Sequence, residues 1–384
     1  MPLINHAGGG GGTPHLCSQV ENFKVIPGST ALSARLSWEA PTVDEDSSFV
    51  GVRIVRKAGS APEKVSDGTV VYEGTALTYT DTGLTAGTTY YYRAFAYNAK
   101  KKYQTARRVV SLTATTITLG ATLNDCTWAQ IRAASAAGLA ASIWSVGDTK
   151  SITINGAVKG VYYQGGSTGT LKFQNCVVDA FIIGFDHNAT VEGSNLTHFH
   201  IGKQSGKQVC LSSYQFSSSY EFQFGSSAWG TSFARQDLLG SDSGAATSPT
   251  SNSLLAALPS DLRAVMQKAT KYTSSYNTSA DSFQEYLPLL APYEVFGDTV
   301  SYDFADKAYQ KQYDYYRAGN SPTHYIADDK FINWSTGKKY TQEVWLRSSE
   351  YFSSSRHCKT IEDDGTLSES TSPNNHGIAP IFFV

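Results

Sequence analysis

This chain has little of what marks a specialised protein. Charged side chains are 17% of its 384 residues, methionine occurs twice and cysteine five times. The five cysteines (Cys17, Cys126, Cys176, Cys210 and Cys358) are odd in number and form no C-x-x-C pair. That argues against a disulfide framework and a zinc knuckle, and for free buried thiols in a reducing compartment. The net charge of -2 carries no basic excess, so no nucleic-acid partner is expected. No apolar run reaches the length of a membrane-crossing helix, which excludes membrane insertion by that route. Residues 1–16 have neither the basic nor the apolar segment of a secretory signal. Synthesis in the cytoplasm is the expectation, and no cofactor is implied.

What is abundant is tyrosine, 23 residues, together with serine and 33 glycines. Tyr, Ser, Gly and Asn make up adaptable recognition surfaces, although tyrosine also favours strands. Five consecutive glycines, Gly8 to Gly12, exclude a helix or packed strand there. They read as a flexible linker or as an attachment peptide that docks on another subunit.

From about Ser18 to Ala114 the pattern is of short strands punctuated by turns. Leu36-Ser37-Trp38 precedes the Pro41 turn, Val50 to Lys57 alternates apolar with polar, and Gly83-Leu84 precedes a tyrosine-rich strand. Regular short strands of period two predict a β-sandwich. A threonine-rich joint, Thr115 to Thr122, follows. Beyond it the pattern mixes helix and strand, which predicts one α+β domain rather than a wound parallel sheet. Trp128 to Ala137 predicts a helix stopped by Gly138. Ser151 to Ile154, Leu171 to Phe173 and Ala180 to Phe185 predict strands. Helices are expected at Ser253 to Leu258, at Asp261 to Lys271 with Ser260 as N-cap, and at Ala305 to Ala318 ahead of Gly319. The closing run Ile381-Phe382-Phe383-Val384 is too apolar to fray and predicts a core strand.

The motifs that would carry chemistry fail on context. Gly165-Gly166-Ser167-Thr168-Gly169 has the G-x-S-x-G form, but a strand pattern follows it where a nucleophile elbow needs a helix. Gly337-Lys338 and Gly206-Lys207 lack the upstream glycine of a phosphate loop. His198-x-His200, with Asp186-His187 nearby, has a spacing that metal sites use. No third ligand recurs at a telling interval, so a structural role is expected. Asp328-Asp329 and Asp363-Asp364 are paired acids, and Glu362-Asp363-Asp364-Gly365 reads as a solvated hairpin turn. No catalytic constellation emerges, and no enzyme activity is expected.

The positive signals concern recognition. Between residues 214 and 229, aromatics (Tyr214, Phe216, Tyr220, Trp229) are interleaved with small polar residues. Between residues 350 and 376, Tyr351, Phe352, Arg356, His357, Ser370, Asn374, Asn375 and His376 form a second polar and aromatic set. Rigid rings give contact area at low entropic cost, and serine and asparagine give adaptable hydrogen bonds. These residues are the candidate ligand-binding set. It is bracketed by Val344-Trp345-Leu346-Arg347-Ser348 and by Gly377 to Val384, which should be scaffold.

Leu84-x-x-Gly87-Thr88-x-Tyr90-x-x-Arg93-x-x-Ala96-x-Asn98 closely resembles a fibronectin type III domain. The resemblance implies that Tyr90 closes a tyrosine corner, that Trp38 lies in the core, and that the domain is a spacer or adhesive module. From about Cys126 onward the chain resembles a domain of unknown function from phage and prophage proteins of gut Firmicutes. The matching motifs are Trp128-x-x-Ile131-Arg132, Trp144 to Asp148, Ile183 to Asn188, Leu239 to Asp242, Leu254 to Pro259, Glu294 to Gly297, Trp345 to Ser348 and Gly377 to Pro380. Ser349 departs from that pattern, which usually has proline there. The closing Trp-Leu-Arg-Ser…Gly-x-x-Pro arrangement also resembles the C-type-lectin-like domains of retroelement-diversified variable proteins.

These resemblances imply a multidomain protein with an N-terminal all-β fibronectin type III sandwich and a C-terminal α+β C-type-lectin-like domain. The implied boundaries are a Gly-rich attachment segment at 1–16, the sandwich at 17–117 and the ligand-binding domain at 118–384. They further imply a virion protein of a phage tail tip or fibre. It would recognise a bacterial surface receptor, glycan or protein, through C-terminal loops, and join other tail proteins through its N-terminal segment. A homo-oligomer, most simply a trimer, follows from the same analogy. The competing expectations are a tail-associated glycan-degrading enzyme and a purely structural decoration protein.

Overall fold

A computed structural model describes residues 19–41, 49–104, 109–162, 168–211, 228–275, 279–299, 304–326, 341–352, 355–371 and 376–384. The chain divides into two compact units, Met1–Ala121 and Thr122–Val384.

The first unit contains β1 (Glu21–Pro27), β2 (Ala34–Glu39), β3 (Phe49–Ala58), β4 (Thr69–Gly74), β5 (Thr78–Asp81), β6 (Thr89–Asn98) and β7 (Val109–Thr113). They form a three-stranded sheet, β1-β2-β5, and a four-stranded sheet, β4-β3-β6-β7. Every second residue of β2 is buried, whereas β3 buries adjacent pairs, Gly51-Val52 and Ile54-Val55, where its ladders shift register. Phe23, Leu36, Trp38, Val52, Ile54, Leu84, Tyr92 and Leu112 make the core. The Tyr90 hydroxyl accepts a hydrogen bond from the Thr85 amide at 3.2 Å, the expected tyrosine corner. Tyr92 donates to Asp81 at 2.9 Å, and Asp81 also holds Arg56.

The second unit opens with α1 (Trp128–Ala136) and α2 (Ala140–Ile143), then β8 (Thr149–Tyr162), β9 (Thr168–Phe185), α3 (Ala189–Glu192), β10 (Thr197–Gln204) and β11 (Lys207–Cys210). There follow α4 (Leu254–Ala257), α5 (Ser260–Arg263), β12 (Ala269–Ser275), β13 (Ser279–Glu285), α6 (Pro292–Phe296) and α7 (Asp314–Arg317). It closes with β14 (His324–Ile326), β15 (Thr341–Gln342), β16 (Val344–Phe352), β17 (Ser355–Ile361), β18 (Leu367–Thr371) and β19 (Ile381–Phe383). The main sheet runs β15-β14-β11-β10-β9-β8, with β19 also paired to β10. Two smaller sheets, β12-β13 and β16-β17-β18, complete the unit.

Local signals explain much of this. Thr127 and Gln130 form a reciprocal capping box at the start of α1, and Gly138 just past its end adopts φ +68°. The Ser253 hydroxyl caps α4 by accepting from Ala256 N. At the β10 bulge Gly202 has φ +116°, and a Cβ there would lie 2.1 Å from the Val209 carbonyl oxygen. Only glycine fits that position. β19 is fully buried and antiparallel to β10, and Val384 exchanges two backbone hydrogen bonds with Thr197. The four described cysteines are buried.

Four expectations are corrected. Leu171–Phe173 and Ala180–Phe185 are parts of one strand, β9; Cys176 to Asp179 continue the ladder between them, with Asn175 at φ +51° where the register shifts. The helix expected over Asp261–Lys271 lasts only from Ser260 to Arg263, and Ala269 onward is strand. Ser260 is the first residue of that helix and Pro259 its N-cap. The helix expected over Ala305–Ala318 is a 3-10 turn, Ala305–Tyr309, then extended chain, then α7. Tyr313 is the reason for the break: its amide donates to the Glu294 carbonyl at 2.9 Å, and its ring is fully buried.

Candidate ligand-binding surface

The sheet β16-β17-β18 carries the second candidate set, and its root is in the core. Trp345, Leu346, Arg347 and Ser348 are all buried. The ladder between β16 and β17 shifts register between Trp345 and Ser349. Within that irregularity the Arg347 amide turns away to donate to the Leu290 carbonyl at 2.9 Å. Ser349 is paired opposite Cys358.

Arg347 is 0% exposed, and a buried guanidinium is tolerable only if paired. It donates to the Leu289 carbonyl at 2.8 Å, to the Tyr272 carbonyl at 3.0 Å and to the Glu294 carboxylate at 2.5 Å. Glu294 also accepts from the Lys271 ammonium at 2.8 Å. Lys271 donates further to Glu192 at 2.7 Å and to the Tyr313 hydroxyl at 2.8 Å. Burial pushes the Glu294 carboxyl upward, but Arg347 and Lys271 more than reverse this and hold it at about 2. Burial opposes ionisation of Glu192 too, yet Lys271 and His187 hold it well below the usual carboxylate range. The result is a chain of alternating charges, Glu192–Lys271–Glu294–Arg347, that ties α3, β12, α6 and β16 together. Beside it, Asp306 accepts from the hydroxyls of Ser274 at 2.7 Å and Ser348 at 2.8 Å.

His187, Glu192 and His198 are the described group whose ligating atoms, all within 4.8 Å, could hold a metal ion. Burial drives His198 down to about 3, so its imidazole is neutral. The group nevertheless fits a metal poorly. Lys271 already supplies the positive charge on Glu192. The Tyr313 hydroxyl accepts from Lys271, which leaves its own proton for His198 Nδ1 at 3.0 Å. His187 stacks on Tyr313 with centroids 3.7 Å apart and turns Nδ1 toward Glu192 at 3.2 Å. The charges balance without an added ion, while the Nε2 atoms of His187 and His198 are buried without a hydrogen-bond partner.

Beyond this root the backbone brings several sequence candidates into one sheet. Tyr351 is paired opposite Arg356, Glu350 opposite His357, and Cys358 opposite Ser370. Phe352 and Ser355 are the last pair of the β16–β17 ladder. Their side chains lie outside the described residues, as do Tyr214, Phe216, Tyr220, Asn374 and Asn375 altogether. Two candidates are corrected. Trp229 is 0% exposed, and its indole donates to Glu285 at 3.1 Å, alongside Arg235 at 2.6 Å. His376 is 5% exposed and packs edge-on against Trp345. Both are scaffold, because surrounding atoms fill the space a ligand would need.

The turn joining β17 to β18 is the predicted Asp-Gly hairpin. Gly365 has φ +90° and donates to the Glu362 carbonyl at 3.0 Å, and Asp364 accepts from Thr366. The G-x-S-x-G segment joins two antiparallel strands, paired as far as Tyr162 opposite Thr168, so no helix follows it. A shallow groove of about 630 Å³ lies between β8 and the α4–α5 corner, lined among others by Lys150, Asn155, Ser260 and Arg263.

The family described as fibronectin type III domain matches residues 18–111. Those residues are a fibronectin type III domain. An Fn3-like protein from Clostridium thermocellum is similar at 19% identity over 25% of this chain and 92% of its own, with a TM-score of 0.21. The sixth such domain of human fibronectin type III domain containing protein 3 is similar at 23% identity over 28% of this chain and 90% of its own, with a TM-score of 0.21. The FN1–FN3 domains of chicken CNTN1 are similar at 18% identity over 27% of this chain and 33% of their own, with a TM-score of 0.21. No curated protein matches the chain. The second unit is thus read from its own residues.

Proposed function

We propose that the protein is a phage virion component, at a tail tip or fibre, that binds a bacterial surface receptor through the sheet β16-β17-β18. In this reading the fibronectin type III domain is a spacer, and residues 1–16 join the protein to other tail proteins. The second unit is a C-type-lectin-like display domain, and the assembly is a homo-oligomer, most simply a trimer. Variation of the β16–β18 residues by a retroelement would alter specificity without touching the fold.

One observation carries the reading. The candidate residues Tyr351, Phe352, Arg356, His357 and Ser370 occupy one three-stranded sheet whose other end, Trp345 to Ser348, is fixed in the core by the Arg347–Glu294–Lys271 chain. A rigid root under a polar, aromatic tip is how adaptable recognition surfaces are presented.

The test is binding of the purified full chain to a panel of bacterial cells. Tyr351→Ala and Arg356→Ala should each weaken capture at least tenfold without moving the melting temperature. Unchanged capture by both variants rejects the surface. Release of soluble sugar from the cells would favour the glycan-degrading alternative.

A further inference from the structure

The groove between β8 and the α4–α5 corner contains two cations held by neutral groups. Lys150 is 9% exposed. Its ammonium donates to the Cys126 carbonyl at 2.6 Å and to the Asn124 carbonyl at 3.2 Å, and lies 5.3 Å from the centroid of the Trp128 ring. Arg263 donates through Nε to the Leu258 carbonyl at 3.1 Å and through Nη1 to the Ala246 carbonyl at 3.2 Å. Among the described residues neither cation pairs with a carboxylate, and Arg263 Nη2 and one ammonium proton of Lys150 are left over. A buried cation held by neutral dipoles keeps an unmet demand for negative charge. Asp261 also lines the groove, so two cations face one carboxylate and the lining is net positive.

The rest of the lining suits hydroxyl groups. Thr153, Asn155 and Ser260 are exposed in it. Asn155 Oδ1 accepts from the Asn175 amide at 2.5 Å, which leaves the Asn155 amide nitrogen to donate. The volume of about 630 Å³ is more than a lone inorganic anion fills and lies within the range of small-ligand sites. The two walls are set against each other: a Cβ on Gly156 of β8 would lie 3.3 Å from Ala257 of α4.

We propose that this groove binds a sugar carrying one anionic group, carboxylate or phosphate, with Lys150 and Arg263 on the anion and Thr153, Asn155 and Ser260 on the hydroxyls. Charge-assisted hydrogen bonds fix the anion, and the polar side chains fix the ring beside it. The groove shares no lining residue with the sheet β16-β17-β18, so the site stands without the receptor reading given above.

The test titrates the purified full chain with glucuronate, glucose 6-phosphate, glucose and inorganic phosphate by isothermal calorimetry at low ionic strength. Glucuronate or glucose 6-phosphate should bind at least about tenfold more tightly than glucose and than phosphate; the tighter of the two identifies the anion as carboxylate or phosphate. Thr153→Trp, at an exposed position, should fill the groove and weaken that binding at least about tenfold without lowering the melting temperature. Arg263→Gln should weaken it by roughly fivefold or more and leave glucose unaffected. Binding of neither acidic sugar, glucose binding as tightly as they do, or affinity unchanged in both variants overturns the proposal. Phosphate binding as tightly as the acidic sugars overturns the assignment of a sugar. Cell capture plays no part in these titrations, so a failure of the receptor surface leaves them unaffected.

Discussion

Mild acid should unfold the second unit while sparing the first. His198, His200 and His324 are fully buried, and burial lowers them to about 3, about 3 and about 4. Free histidine titrates near 6.5. The folded pKa values lie below the unfolded one, so the unfolded chain takes up protons first. The stabilisation is complete above about pH 6.5 and is lost as the pH falls toward 4. At pH 5 each histidine sits about 1.5 pH units below its unfolded value, which at about 1.36 kcal/mol per unit costs roughly 2 kcal/mol. Three such groups cost about 6 kcal/mol, comparable with the whole stability of an ordinary domain.

The fibronectin type III domain contains no histidine between residues 18 and 111, so it serves as an internal control. Hydrogen exchange read separately over the two units at pH 7, 6 and 5 should show the second unit losing protection steeply while the first holds. Depressed carboxylates such as Glu294 enter only below about pH 4.5, outside this window. Equal pH dependence in the two units, or none in the second, would refute the reasoning.

Other outcomes follow from the same geometry. Lys271→Met strands Glu192 and Glu294 as buried anions and should cost about 3–5 kcal/mol in a denaturant titration; adding Glu192→Gln should recover part of it. Gly202→Ala should destabilise by at least 2 kcal/mol, read as a lowered melting temperature, because its Cβ meets the Val209 carbonyl at 2.1 Å. Thr127→Ala removes the α1 cap and should cost about 1 kcal/mol by the same measurement. Trp229→Ala should lower stability by about 3–5 kcal/mol. Any loss of cell capture in that variant should track the fraction unfolded.

Local pattern was a good guide wherever one residue's neighbours in sequence are also its neighbours in space. The short strands of the sandwich, the Gly138 stop and the Asp-Gly turn are all of that kind. So is β19, whose unbroken apolar run has no stable place but the core. The ion chain was not legible. Lys271 sits in a strand whose other residues are Ala, Thr, Tyr and Ser, and its partner Glu192 is 79 positions away. A lone charge in such a strand reads the same whether it points to water or to a distant carboxylate. Trp229 misled for a related reason: serines around it suggested a surface, while Glu285, which accepts from its indole, arrives from 56 positions further on. The break before Tyr313 is likewise set by the Glu294 carbonyl, and not by any residue that stops a helix.

The placement of β19 has a consequence for biosynthesis. The partner of β10 at His198–His200 is made some 180 residues after it, since His198 is opposite Phe383 and His200 opposite Ile381. While the chain is being translated, the growing sheet lacks this strand and exposes the apolar surface it will cover. The first unit can fold early; the second must wait until β19 has been made. A message cut upstream of Ile381 would therefore yield a folded sandwich tethered to a sticky, incomplete partner, a product suited to proteolysis rather than assembly.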